Sequence, residues 1–165
     1  GYAITGVIGR REVMEAAQST FISSTFWTER IGPTAALKTL EVMEKEKSWE
    51  KITETGKVIA QKWEQIGKKL ELGIEPFGLP SLIKFRIKTP NMLKYKTFIT
   101  QEMLKKGYLA GNSVYVSTAH TPEIIDEYME AIEPVFAIIK ECEEGRDIDS
   151  LLKGPVSHAG FKRIN

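Results

Sequence analysis

The chain has 165 residues, enough for one hydrophobic core, and its 23 basic and 22 acidic side chains give a formal net charge of +1. Hydrophobic residues make up 42% and charged residues 27%, as in an ordinary globular protein. The balanced charge argues against electrostatic binding, so neither nucleic acid nor a membrane is expected as a partner. No apolar run is long enough to span a membrane, and no signal peptide is recognisable. The single cysteine, Cys142, excludes an internal disulfide and suits a reducing compartment such as the cytoplasm.

The first third of the chain predicts short strands around one short helix. Ala3 to Ile8 is apolar with small residues, as in a buried strand, and a short helix is expected near Val13 to Gln18. Phe21 and Ile22 predict the start of a second strand. This first region is expected to be the edge of a larger sheet.

A hydroxyl-rich turn follows and runs directly into a helix start. Its side-chain hydroxyls belong to Ser23, Ser24, Thr25 and Thr28. Gly32 and Pro33 suit the cap and the first helical position, so hydroxyls and exposed backbone N–H groups could meet an anion such as a phosphate. The alternative is that these residues only cap the helix or form the turn.

Two amphipathic helices are predicted in the middle of the chain. The first runs from Pro33 to about Lys47 and is expected to act as a connector, with apolar positions at Ala36, Leu37, Leu40 and Met43. The second runs from Trp49 to about Leu72 and stops at Gly73, with a stripe formed by Ile52, Gly56, Ile59, Trp63, Ile66 and Leu70. Trp63 is therefore expected in the core. The lysines between these positions should face solvent, which argues against a Schiff-base lysine there.

The last third predicts strands alternating with helices. Ile74 to Leu79 is expected to form turns, and Ile83 to Lys88 a half-exposed antiparallel strand. A helix marked by Met92, Tyr95, Ile99 and Met103 should close near Gly107, before a short strand at Val114 to Val116. Thr121, Pro122 and Glu123 form a strong helix start, and the helix should bury Ile124, Ile125, Tyr128 and Ile132. Pro134 should kink or break that helix. The expected class is α+β, with helices on one face of a short antiparallel or mixed sheet.

The two histidines, His120 and His158, have no cysteine or second histidine at metal-ligand spacing, so no metal site is expected. His120 is expected to be a turn residue whose ring nitrogen is satisfied by backbone. The sequence has no glycine-rich dinucleotide or nucleotide loop and no serine elbow.

Three blocks resemble one enzyme family in order and in approximate spacing. They are Gly1 to Met14, the Ser24-Thr25-Phe26 turn with its Ala35-Ala36-Leu37 helix, and Tyr115 to Thr121. Together they resemble the class III pyridoxal-phosphate aminotransferases, in particular the glutamate-1-semialdehyde 2,1-aminomutase-like members. The resemblance implies a PLP-dependent transferase of fold type I, with pyridoxal 5′-phosphate as cofactor and an amino-aldehyde or keto compound as substrate.

In that family the lysine that holds the cofactor would precede Gly1, so the resemblance implies the C-terminal portion of such an enzyme. Residues 1–32 would be a remnant of the large domain, 33–72 connecting helices and 73–165 the small C-terminal α+β domain. None of the catalytic residues would lie in this chain, which is expected to be inactive alone. Its implied partners are a missing N-terminal large domain, a second subunit in a homodimer with the site at the interface, and a small-molecule amino donor or acceptor. From the family dimer we also expect exposed apolar surface around Ala3 to Val7 and self-association of the chain.

The resemblance also implies cofactor-binding residues. The family threonine that reaches across the dimer interface to the cofactor phosphate corresponds to Thr25, with Ser24 beside it. The loop here is about one residue longer than in the family, so Thr28 is a rival for that contact. Glu29 and Arg30 in the longer loop either shape substrate choice or form an exposed ion pair. The competing class is a non-catalytic α+β interaction module.

Overall fold

The computed structural model describes residues 1–22 and 25–160. The chain divides into two compact units, Gly1–Ser48 and Trp49–Asn165. None of the described helices combines the length and the apolar character that crossing a bilayer requires.

The N-terminal unit is helical where it has regular structure. Residues 1–10 are irregular, helix α1 (Arg11–Met14) leads into a 3₁₀ helix (Glu15–Ser19), and helix α2 covers Ile31–Glu46. The predicted short helix is therefore confirmed. The strands predicted at Ala3 to Ile8 and from Phe21 are wrong: Ile8 is 95% and Phe21 91% exposed. A buried strand needs neighbours to bond its backbone, and the described part of this unit contains no strand to pair with.

Helix α2 ends as predicted, at Lys47, which adopts a left-handed conformation with φ of 49°. Its apolar stripe lies open, because Leu37, Leu40 and Met43 are all exposed. Among the residues of α2, only Gly32 is buried.

In its described residues, the C-terminal unit is built from three α-helices, a short 3₁₀ helix (Asp149–Leu151) and three strands. Helix α3 covers Ser48–Lys69, α4 Met92–Lys105 and α5 Pro122–Glu143; the strands are β1 (Ile74–Phe77), β2 (Leu82–Ile87) and β3 (Ser113–Tyr115). The sheet is antiparallel in the order β1-β2-β3, with Ile74 opposite Ile87 and Ile83 opposite Val114. The α+β class is confirmed. The antiparallel strand predicted from Ile83 corresponds to β2, and β3 lies one residue before its predicted position.

Strand β1 corrects the prediction of turns at Ile74 to Leu79. Pro76 has no N–H to give to a ladder, which argued against a strand. Because β1 is an edge strand, its backbone bonds a neighbour, β2, on one side only, and a proline is tolerated there. Pro76 lies opposite Phe85 of β2.

The core lies between the helices and one face of the sheet. Phe85 of β2 is fully buried, with its ring centroid 4.7 Å from that of Trp63 in α3 and 5.3 Å from that of Phe136 in α5. Tyr95, Ile99 and Met103 of α4 complete the same cluster, as their spacing predicted. On β2, Arg86 points to the opposite, solvated face and pairs with Glu75 at 2.8 Å. The predicted arrangement of helices over one sheet face, with Trp63 in the core, is confirmed.

Helix α5 follows its predicted start and is not broken at Pro134, so of the predicted kink or break the break is wrong. Thr121 accepts a hydrogen bond from the N–H of Ile124 through its hydroxyl, as expected of the cap. The helix continues through Pro134, which faces solvent, and Lys106 Nζ donates to the Ala131 carbonyl nearby at 2.5 Å. Ile124 is 43% exposed rather than buried, because the inward face continues through Ile125 and Met129.

Candidate functional site

The predicted anion-binding turn lies in the N-terminal unit. Ser23 and Ser24 fall outside the described residues. Thr25 and Thr28 are exposed, and the N–H of Glu29 donates to the Phe26 carbonyl at 3.3 Å, so Trp27 and Thr28 occupy the tip of a tight turn. Both hydroxyls are therefore available to a ligand that approaches from solvent.

The start of α2 differs from the prediction. Arg30 is the cap residue and Ile31 the first helical residue, which puts Pro33 at the third helical position rather than the first. The Glu29 carboxylate accepts hydrogen bonds from the N–H groups of Ile31 and of Gly32, the latter at 3.0 Å. A carboxylate suits the positive end of the helix dipole, and Pro33 fits the first turn because its missing N–H has no partner there.

Gly32 makes this arrangement possible because it is buried where the first turn of α2 packs against residues 3–4. A Cβ atom at this position would lie 3.1 Å from the Ala3 carbonyl oxygen and 3.3 Å from Glu29 Oε2. Both distances are shorter than ordinary van der Waals contact. The glycine therefore allows the backbone of residues 3–4 and the capping carboxylate to approach the helix together.

A cleft of about 610 Å³ lies beside this turn, within the N-terminal unit. It is lined by Tyr2, Ala3, Ile4, Thr5, Phe26, Trp27, Glu29 and Pro33. Trp27 is 75% and Phe26 56% exposed, so flat apolar rings stand next to the hydroxyls of the turn. The lining of the cleft is therefore mostly apolar and aromatic, with polar groups from Tyr2, Thr5 and Glu29.

A second cleft, of about 320 Å³, lies in the C-terminal unit. It is largely aromatic and aliphatic, with Tyr108, Tyr115, Tyr128 and His120 among its lining residues. His120 Nδ1 accepts a hydrogen bond from the N–H of Ser117 at 2.9 Å, which confirms the predicted turn role of this histidine. Burial raises the pKa of the Tyr128 phenol, whose Oη is covered by protein.

Lysines of the C-terminal unit form ion pairs at the surface. Lys62 lies 2.8 Å from Asp126, Lys94 2.6 Å from Asp149 and Lys140 3.2 Å from Glu144. Schiff-base chemistry needs a desolvated amine that reaches a cofactor, and these paired ammonium groups are not of that kind. The prediction that no catalytic lysine lies in this chain stays a prediction.

Sequence reasoning missed the role of Glu29, whose alternatives were substrate choice and an ion pair with Arg30. Its partners are backbone N–H groups of the next residues. The signal was an acidic residue just before a helix start that lacks serine, threonine, aspartate or asparagine at the cap.

Comparisons with known proteins place these features in context. No protein-family model matches the chain. It is 28% identical over 157 residues to the 3-aminobutyryl-CoA aminotransferase of Cloacimonas acidaminovorans (strain Evry), a match that covers 86% of this chain and 36% of that protein. It is 22% identical over 158 residues to the aminopentol aminotransferase of Sphingopyxis macrogoltabida, covering 94% of this chain and 36% of that protein.

A solved structure shares the fold. It is the PLP internal aldimine form of the FumI protein of Sphingopyxis sp. MTA144, with a TM-score of 0.74 and 18% identity over 88% of this chain and 36% of that chain. The chain thus spans about a third of the length of each of these proteins. Its fold is that of the matched third of FumI.

Proposed function

We propose that this chain is the C-terminal part of a class III, pyridoxal-phosphate-dependent aminotransferase or aminomutase. The observation that carries the proposal is that two aminotransferases and a PLP-containing structure all match this chain over 36% of their own length. The three sequence blocks that resemble the class III family support the same conclusion. In the whole protein, an amino group would move between substrates or between adjacent carbons of an amino-aldehyde or keto compound.

The hydroxyls of the turn fit the cofactor phosphate better than the start of α2 does. Thr25 and Thr28 are exposed donors, whereas the N–H groups of Ile31 and Gly32 are already bonded to Glu29. Hydroxyls can bind a phosphate dianion without adding an opposing charge. When bound, pyridoxal 5′-phosphate supplies an electron sink for chemistry at the carbon that bears the amino group. The residues of this chain would anchor the phosphate and leave that chemistry to groups outside it.

We propose a homodimer in which Thr25, with Ser24 beside it, contacts the cofactor phosphate of the second subunit, and Thr28 is the alternative contact. The exposed apolar side chains of the N-terminal unit, including Phe26, Trp27 and Leu37, support burial against other parts of a larger assembly. A large domain that carries the cofactor lysine would be the other partner. The single cysteine supports a cytoplasmic location.

The test uses the longer protein encoded by the reading frame that contains this chain. Thr25→Ala should weaken pyridoxal phosphate binding by roughly tenfold, as loss of a hydrogen bond to a charged group implies, and Thr25→Ser should restore it. Thr28→Ala distinguishes Thr25 from Thr28 as the phosphate contact, because only the contacting residue should lose cofactor affinity on substitution. If neither substitution changes cofactor affinity, the phosphate assignment fails.

The second candidate is a non-catalytic interaction module. The C-terminal unit favours it, because its core of 20 buried hydrophobic residues lies within residues 59–148. A reading frame that extends upstream into a lysine followed shortly by the Gly1-Tyr2 step favours the enzyme. Translation that starts at Gly1 favours the module.

A further inference from the structure

Glu29 uses both its backbone and its side chain to fix the turn before α2. Its N–H donates to the Phe26 carbonyl, and its carboxylate accepts from the N–H groups of Ile31 and Gly32. In the described part of the chain it forms no ion pair with a basic side chain. It is therefore a helix cap that closes the turn of Phe26 to Glu29 against the first turn of α2.

This cap engages the donors in the first helical turn of α2. Ile31 and Gly32 donate to Glu29, Pro33 has no N–H, and the N–H of Thr34 donates to the Arg30 carbonyl at 3.0 Å. A helix start normally attracts anions through these same groups. Here a carboxylate of the chain already occupies them.

We propose that Glu29 is a positioning residue that keeps phosphate away from the start of α2. The identity of that phosphate as part of a cofactor rests on the proposed function. The exclusion itself rests on the geometry alone: an anion can reach the N–H groups of Ile31 and Gly32 only by displacing a like-charged group.

The experiment is a titration of the 165-residue chain with inorganic phosphate, followed through backbone amide chemical shifts in NMR spectra. The variants are Glu29→Ala and Glu29→Gln, since glutamine removes the charge but keeps one acceptor for the cap. Glu41→Ala is the matched control: it removes the same charge from α2, but Glu41 pairs with Lys38 rather than with the helix start. Amide shifts of residues 35–43 report whether α2 remains folded.

The parent chain and Glu41→Ala should show no saturable shifts at Ile31 and Gly32. Glu29→Gln should show these shifts. It should bind phosphate at least about fivefold more tightly than the parent chain, as removal of a like charge at roughly 4 Å in water implies. If Glu29→Ala frays the helix, the glutamine variant decides. Equal shifts in the parent and in Glu29→Gln, or shifts in neither, would overturn the proposal.

These shifts are measured without the cofactor. If the longer protein fails to bind pyridoxal phosphate, the proposed function fails while the exclusion of phosphate by Glu29 stands. If Glu29→Gln gains no phosphate site, the exclusion of phosphate by Glu29 fails, and the proposed function is unaffected.

Discussion

At the scale of single residues, Gly56 of α3 lies directly against the backbone of the turn between β1 and β2. A Cβ atom there would lie 1.8 Å from the Pro80 carbonyl oxygen and 2.5 Å from its carbonyl carbon, so α3 touches the backbone of the β1–β2 turn directly. Gly56→Ala should lower the free energy of unfolding by about 3 kcal/mol, because helix and turn must separate to admit a methyl group. Urea unfolding measures this loss.

Gly73→Ala is the matched control, since a Cβ at that position meets no atom within 4 Å and its φ is not positive. It should change the free energy of unfolding by less than about 0.5 kcal/mol. Equal stability of the two variants would contradict the close approach of α3 to Pro80.

Tyr95 joins α4 to the end of α5. Its buried phenol donates to the Glu143 carboxylate, which also accepts from Thr89 at 3.0 Å. Burial, and then the hydrogen bond to Glu143, raise the pKa of Tyr95 above its ordinary value. Tyr95→Phe should lower the free energy of unfolding by about 1 kcal/mol at neutral pH, through loss of a charge-assisted bond on an exposed carboxylate.

The pH dependence of this difference follows from the direction of the pKa shift. Because the folded pKa is raised, the contribution of the phenol is complete below the unfolded pKa near 10 and is lost as pH rises above it. The stability difference between the parent chain and Tyr95→Phe should therefore be constant up to about pH 10 and shrink above it. A difference that grows with pH would contradict this account.

At the scale of elements, α2 is a helix with an apolar stripe that the described part of its own unit leaves uncovered. Leu37 is 70% and Leu40 61% exposed. We expect the chain to self-associate through this stripe, and Leu37→Glu with Leu40→Glu to reduce association. Sedimentation over a wide concentration range measures it, with Glu41→Ala as a control on the polar side. A parent chain that is strictly monomeric throughout would count against this prediction.

Elements whose apolar spacing matched a local core could be predicted from the sequence. The apolar stripe of α3 is buried and the residues of β2 alternate in burial, as their spacing predicts. Thr121 caps α5, as its residue type predicts. The irregular structure of Ala3 to Ile8 could not be predicted, because a strand needs neighbouring strands and an apolar composition does not show whether they are present. Pro76 misled the prediction because β1 is an edge strand, and one side of its backbone has no strand to bond. At Pro134 the helix continues although one backbone hydrogen bond is lost.

The candidate site was predictable only in part. The hydroxyls of Thr25 and Thr28 follow from composition and from the family resemblance, and their assignment to the phosphate stays a prediction. The role of Glu29 was missed because its one signal, an acidic residue before a helix start without a usual cap residue, does not show which N–H groups the carboxylate reaches.

At the scale of the whole molecule, the two units differ in how they are stabilised. The C-terminal unit has a closed core around Trp63, Phe85 and Phe136. The N-terminal unit exposes most of its large apolar side chains. The assignment of residues 1–32 to a large domain stays a prediction, and this exposure supports it.

The measurement that tests the central claim most directly is a titration of the 165-residue chain with pyridoxal phosphate, followed by borohydride reduction and peptide mapping of labelled lysines. If the cofactor lysine lies outside this chain, labelling should be weak and scattered over exposed lysines such as Lys57 and Lys69. Stoichiometric labelling of a single lysine would contradict the account, because the chain would then contain a complete cofactor site of its own.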